Sequence, residues 1–215
     1  GGLSLLEAMV AAGVPKIVFS STSATYGIPA VVPIVEDCAQ NPVNPYGHSK
    51  LVFEGMLAWF ARAHGIKPVV FRYFNAAGAS ARFGEDRRVE THLIPNVLFV
   101  ALGRCDSVKV FGTDYETPDG SAVRDYVHVC DLAEAHHRAV EREVSGAFNL
   151  GTGRGNSVWE VIQACREVTG HDIPVVEAGR REGDPPVLVA AGDKAARVLD
   201  WVPVTDLEEM VRSAW

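Results

Sequence analysis

The chain is short of cysteine, and the four it has, Cys38, Cys105, Cys130 and Cys165, are scattered with no C-x-x-C pair and no histidine at ligand spacing. That excludes a zinc ribbon and a disulfide framework, and leads to the expectation of a reducing, cytoplasmic setting. Long apolar runs are absent too. The best candidate, residues 93–102, is broken by Pro95 and Asn96 and falls short of the ~18 apolar residues a membrane span needs, so no membrane partner is expected. Positive charge is in deficit: 20 Lys and Arg against 27 Asp and Glu give a net charge of −7. Nothing draws the chain globally to nucleic acid, and any phosphate it binds must be met by individually placed arginines. An initiator methionine and a signal peptide are also missing; Gly1 to Val10 reads as the middle of a helix, and the expectation is a fragment.

What is present suits a globular protein. Of the 215 residues, 47% are hydrophobic and 22% charged, enough apolar material for one large or two small cores. After an opening helix and a turn at Gly13-Val14-Pro15, the run Lys16–Ser20 predicts a strand buried on both faces, with a hydroxyl cluster, Ser20-Ser21-Thr22-Ser23, at its end. A proline-rich loop follows, then a helix from Tyr46 to about His64 stopped by Gly65. A second buried strand occupies 68–73. Alternating helices and continuous apolar strands predict an α/β fold, a parallel sheet covered by helices whose ligands bind beyond the carboxyl ends of its strands, where Thr22 and Asn75 fall.

From about Gly78 the texture changes to polar loops, with a helix near 93–102 and a strand near 108–111. A smaller lobe over 79–215 is expected beside the sheet of residues 1–78. Strands at 124–129 and 147–150, and helices at 131–143, 158–169 and 206–215, complete the pattern, with elements near 124–156 packing back on the first domain.

The chemistry centres on Tyr46 and Lys50 in Asn44-Pro45-Tyr46-Gly47-His48-Ser49-Lys50. Four residues apart on a helix, they share a face, and Pro45 suits its first turn. A free phenol has a pKa of about 10, and a nearby ammonium favours the phenolate, so the pair predicts a base acting on an alcohol or carbonyl. The bland alternative is a surface helix with an exposed tyrosine and lysine. Gly151-Thr152-Gly153-Arg154-Gly155-Asn156 imitates a dinucleotide fingerprint, but its third glycine is replaced by Asn156; a plain turn with Ser157 as helix N-cap is expected. Adjacent His136 and His137 face different ways and argue against a metal, and Glu85-Asp86-Arg87-Arg88 reads as a solvated loop.

Together, Phe19-Ser20-Ser21-Thr22, Tyr46 to Lys50, Arg72-Tyr73-Phe74-Asn75, Arg124 to Val129, Phe111 to Tyr115 and Arg180 to Asp184 resemble the extended short-chain dehydrogenase/reductase family, and within it the UDP-hexose 4-epimerases. The likeness covers essentially the whole chain. It implies NAD as cofactor and a UDP-sugar as substrate, with epimerisation at C4 through a 4-keto sugar, UDP-galactose to UDP-glucose, as an isomerase of galactose metabolism. It also implies a Rossmann-like doubly wound parallel sheet, with residues 1–78 as the carboxyl-terminal part of the NAD-binding domain, and roughly a hundred preceding residues that bear the glycine-rich pyrophosphate turn.

Carried over by position, the resemblance makes Tyr46 the base at the sugar 4-hydroxyl. Lys50 tunes it and bonds the nicotinamide ribose, while Thr22 holds O4. Ser20, Ser21, Tyr73 and Phe74 fall to the cofactor. Asn75, His92, Leu93, Phe111, Arg124, Arg181 and Asp184 fall to the substrate, the arginines gripping pyrophosphate and Asp184 the ribose. No metal is expected. A homodimer is implied, using the Tyr46 helix, where Leu51, Phe53, Leu57, Trp59 and Phe60 offer excess apolar surface. Leu188 occupies a position whose size tunes acceptance of N-acetylated sugars, so UDP-N-acetylglucosamine stays open as a substrate. Dehydration is disfavoured, because the acid and base that dehydratases carry after the threonine are here Ser23-Ala24. The remaining alternative is an inactive fragment acting only as a binding module.

Overall fold

The computed structural model describes all residues, Gly1–Trp215. Three parallel strands make the first sheet in the order β1 (Lys16–Thr22), β2 (Lys67–Tyr73), β6 (Gly146–Leu150). Strand alternation sends neighbouring side chains to opposite faces. Val70 goes to α1 (Gly2–Ala11) and α2 (Pro45–His64), where Leu6, Met9 and Leu57 wait. Val69 and Phe71 go to α4 (Val129–Glu141) and α6 (Asp193–Leu199), packing with Leu132, Ala135, Leu199 and Trp201. Helices therefore cover both faces, as the continuous apolar strands predict.

Helix α2 is delimited by its own sequence. The Asn44 side chain accepts from Gly47 N at 2.8 Å, Pro45 occupies the first turn, and Gly65 closes the helix at φ 71° in the left-handed region that glycine tolerates. At its start α2 comes close to the end of β1: a Cβ on Gly47 would sit 2.4 Å from the Ala24 carbonyl oxygen, in the 3-10 turn Ser23–Thr25. Only glycine permits that approach.

Beyond Tyr73 the chain bends at buried Phe74 into β3 (Asn75–Ala77), which joins a second sheet. There β5 (Val123–His128) pairs with β3 and β9 (Val187–Leu188) in parallel and with β7 (Gly155–Ser157) antiparallel. The parallel pair β4 (Val108–Phe111) and β8 (Val175–Ala178) stands apart. A second core gathers α3 (Leu93–Ala101), α5 (Val158–Thr169) and α7 (Leu207–Ala214) around Ile94, Val97, Ile162 and Met210. No helix is long and apolar enough to cross a membrane.

The glycine-rich run after β6 differs from the plain turn expected. Gly155 already belongs to β7, and the turn before it wraps a buried carboxylate. Asp125 accepts from Thr152 N and Oγ1, both at 2.7 Å, from Gly153 N at 3.0 Å and from Ala190 N at 3.1 Å. A Cβ on Gly151 would lie 2.6 Å from its Oδ2. The glycines make room for an internal acid instead of a phosphate. Ser157 caps α5 as expected, in a capping box with Glu160. The apolar surface of α2 differs as well: Leu57 is fully buried and Phe53 and Phe60 pack into the core with it, leaving Val52 and Trp59 outward.

Candidate active site

The carboxyl ends of β1 and β2, the first turn of α2 and the second lobe enclose one large cavity of about 1110 Å³. Thr22, Tyr46, Tyr73, Phe74 and Asn75 line one end, and His92, Leu93, Phe111, Arg124, Arg181 and Asp184 the rest. Residues spread from 22 to 184 thus share one space.

Tyr46 is 57% exposed, and its phenol makes no hydrogen bond within the chain. One turn on, the Lys50 ammonium lies 5.7 Å from the Tyr46 ring centroid and donates to the Ser20 carbonyl at 2.9 Å. An ammonium has three N–H donors, so two remain for other partners. Thr22 Oγ1 accepts from Ala24 N at 3.1 Å, which leaves its O–H free to donate into the cavity. A phenol without a partner and a hydroxyl with its proton free therefore face the cavity, and a cation with two free donors lies beside the phenol.

Behind them runs a chain of hydrogen bonds that the sequence did not announce. Ser20 Oγ lies 2.9 Å from the Tyr73 phenol, which lies 2.8 Å from His136 Nε2. His136 Nδ1 stands 2.9 Å from the Leu132 carbonyl, which can only accept. With Nδ1 donating there, the neutral ring accepts at Nε2, and Tyr73 is the donor. Burial pushes the Tyr73 phenol up; Ser20 opposes this and nearby Tyr46 adds to it. Tyr73 thus gives its proton to His136, and Tyr46 is the exposed phenol. The pairing of His136 with a tyrosine on β2 is non-local, and only the helix face of His136 hinted at it.

Ser21, expected beside the cofactor, is buried, and its hydroxyl donates to the Glu54 carboxylate on α2. Alternation is the reason: Ser20 points to the α4 face and Ser21 to the α2 face.

At the far end, Arg124 and Asp184 form an ion pair with each other. The Arg181 guanidinium sits over the Phe111 ring at 4.0 Å from its centroid, a cation–π stack that holds its fork flat. His92 precedes α3 with Nδ1 at 2.7 Å from Glu85 Oε1. Glu85, Glu90 and His92 bring possible ligand atoms within 4.8 Å of one another, although Glu90 Oε1 already accepts from Thr91 N and His92 N, each at 2.7 Å. Leu188 is not on the wall; it packs behind it, on the cluster of Tyr26, Ile34, Phe74 and Ala190.

A doubly wound sheet with a Tyr-x-x-x-Lys helix at its carboxyl edge defines a class, and the chain belongs to the NAD dependent epimerase/dehydratase family, whose model matches residues 1–151. Among curated relatives, it is 53% identical to a UDP-glucose 4-epimerase of Halalkalibacterium halodurans, over all of this chain and 66% of that protein. Among solved structures, 99% of the chain superposes on 68% of the UDP-glucose 4-epimerase from Brucella ovis in complex with NAD, with a TM-score of 0.94 and 49% identity. The Bifidobacterium longum enzyme in complex with NAD+ and UDP gives a TM-score of 0.93 at 40% identity, covering 99% of this chain and 66% of that one. The chain thus spans about two thirds the length of these relatives.

Proposed function

We propose that the chain carries the catalytic and UDP-sugar-binding part of an NAD-dependent UDP-hexose 4-epimerase that interconverts UDP-galactose and UDP-glucose. The observation that carries this reading is the convergence of Tyr46 and Thr22, with Lys50 beside the Tyr46 ring, at one end of a cavity whose other end holds Arg124 and Arg181. Residues 1–78 together with β6 and α4 form the cofactor side in this reading, and the lobe around α3, β4 and β8 the nucleotide side.

The residues present fit the nicotinamide end of NAD. Lys50 has two free donors for ribose hydroxyls, and Tyr73 and Phe74 line the cavity at the strand ends. The pyrophosphate has no seat in the glycine run 151–155, whose space is filled by Asp125. When bound, NAD supplies a hydride acceptor and donor at C4.

The chain's own residues handle the proton and the anchor. Tyr46 takes the proton from O4 as the alcohol becomes a ketone and returns it when the alcohol reforms. Lys50 stabilises the phenolate by its charge, and Thr22 holds O4 through its free hydroxyl. Arg124 and Arg181 hold the diphosphate, with Asp184 turning from its arginine to ribose hydroxyls, so that the keto sugar stays tethered while it turns over. Ser23 and Ala24, following Thr22, offer no acid for eliminating water. Leu188 packs behind the wall, on the cluster that holds Phe74, and UDP-N-acetylglucosamine remains the alternative substrate. The exposed Val52 and Trp59 on α2 provide the outward face of a homodimer, and four free cysteines suit a cytoplasmic location.

The test is to incubate a polypeptide carrying this chain over the full length of its relatives with UDP-galactose and NAD. Appearance of UDP-glucose supports the reading. Binding of UDP without turnover points to a binding module.

A further inference from the structure

The helical stripe that presents Tyr46 and Lys50 continues one turn further, to Glu54. This carboxylate is 9% exposed and pairs with Arg72 on β2, itself 5% exposed. Arg72 Nη2 donates to Glu54 Oε2 at 2.8 Å, and Nε lies 3.2 and 3.3 Å from the two oxygens. Oε1 also accepts from the Ser21 hydroxyl, and Oε2 from Gln40 Nε2 at 3.1 Å. The other edge of Arg72 donates to the Tyr26 phenol at 2.8 Å and the Glu36 carbonyl at 2.9 Å. Tyr26 in turn donates to Asn149 Oδ1 on β6 at 2.7 Å.

Every element that delivers a reacting group therefore meets at Glu54. Helix α2 brings Tyr46 and Lys50; β1 brings Ser20 and Thr22, on either side of Ser21; β2 brings Tyr73, next to Arg72. Successive turns of α2 grip successive residues of β1, Lys50 at the Ser20 carbonyl and Glu54 at the Ser21 hydroxyl. A buried carboxylate that saturates its acceptor sites this way fixes direction as well as contact, because each partner is held along a lone pair.

We infer that Glu54 is a positioning residue that, through Ser21 and Arg72, sets the register between α2 and the ends of β1 and β2 and so the placement of Tyr46 against Thr22. The inference rests on the epimerase reading above only for its catalytic consequence. A misplacement of about 1 Å at reacting atoms costs on the order of a hundredfold in rate, while the Arg124 and Arg181 anchor, on other elements, is untouched.

The experiment compares wild type with Glu54→Gln in a polypeptide carrying the chain over the full length of its relatives. It reads amide hydrogen exchange, UDP affinity by calorimetry, and kcat and KM for UDP-galactose. Because Glu54→Gln leaves Arg72 buried and unpaired, Glu54→Gln/Arg72→Gln, which buries no net charge, is read alongside it and replaces it if the single variant does not fold. The expected result is faster exchange over residues 20–26 and 45–50 relative to α5, a kcat lower by about tenfold to a hundredfold, and unchanged KM and UDP affinity. Unchanged exchange at those segments overturns the positioning role, whether or not the wild type turns over. Faster exchange with wild-type kcat overturns its catalytic consequence. A wild type that binds UDP without turnover counts against the epimerase reading, and the exchange result then decides the positioning role alone.

Discussion

Lys50 donates its ammonium to the main-chain carbonyl of Ser20 at 2.9 Å, tying the helix that carries Tyr46 to the strand that ends in Thr22. This bond orients the cation beneath the Tyr46 ring and keeps two donors free. It also places the charge by backbone geometry, which side-chain substitutions elsewhere on the strand leave in place.

Tyr46→Phe removes the proton acceptor and little else, since its phenol bonds to nothing in the chain. Turnover is expected to fall by orders of magnitude with UDP affinity nearly intact, as for a group used only in the transition state. Activity equal to wild type in that variant would remove Tyr46 from the mechanism.

Arg181→Ala and Arg124→Ala are expected to differ. Arg181 stacks on Phe111, and its loss costs the stack and one diphosphate contact, about 1.5–3 kcal/mol of UDP binding. Arg124 is paired with Asp184, so its loss also leaves that carboxylate without its cation. The Arg124 variant should therefore lose more affinity and also some thermal stability. Calorimetry with UDP and a melting curve separate the two, and equal losses in both would contradict the pairing.

Gly47→Ala puts a methyl 2.4 Å from the Ala24 carbonyl oxygen. Backbone cannot yield as a side-chain end can, so α2 must shift from β1 at a cost of about 1–3 kcal/mol. A lower melting temperature together with lower kcat is expected, and an unchanged pair of values would show that the close approach is not required.

Asp119 supplies a pH dependence. Burial works to raise its pKa, but hydrogen bonds from Ser157 and Ser121 outweigh it and hold the carboxyl below the usual carboxylate value. A depressed acid contributes stability that is fully present above its unfolded pKa, near 3.9, and lost as pH falls through the lower folded value. Because Asp119 is exposed and solvent screens its bonds, Asp119→Asn should lower stability at neutral pH by less than about 1 kcal/mol and flatten the acid side of the stability profile. Denaturant melts across that range decide it; parallel wild-type and variant profiles would rule the contribution out.

Much of the first lobe was legible because its signals are local. Ile17-Val18-Phe19 puts apolar side chains on both faces of β1, Pro45 and Gly65 punctuate α2, and in the second core Ser157 opens α5 by the same kind of local signal. The strands that went unread, β3, β7, β8 and β9, have two to four residues each and exist only through partners far along the chain. The hydroxyl cluster reads as one surface in the sequence, although strand alternation turns the Ser21 side chain away from those of Ser20 and Thr22. Glu54 lay in plain sight, one turn beyond Lys50, but its meaning depends on Arg72 and Tyr26 arriving from elsewhere.

The central claim is epimerisation at C4 with the hydrogen removed and returned inside one closed pocket. UDP-galactose deuterated at C4, incubated with NAD and the polypeptide carrying this chain over the full length of its relatives, tests it directly. The account predicts UDP-glucose that retains deuterium at C4, with no exchange from solvent. UDP-glucose carrying solvent hydrogen at C4, or a dehydrated sugar in its place, would contradict it.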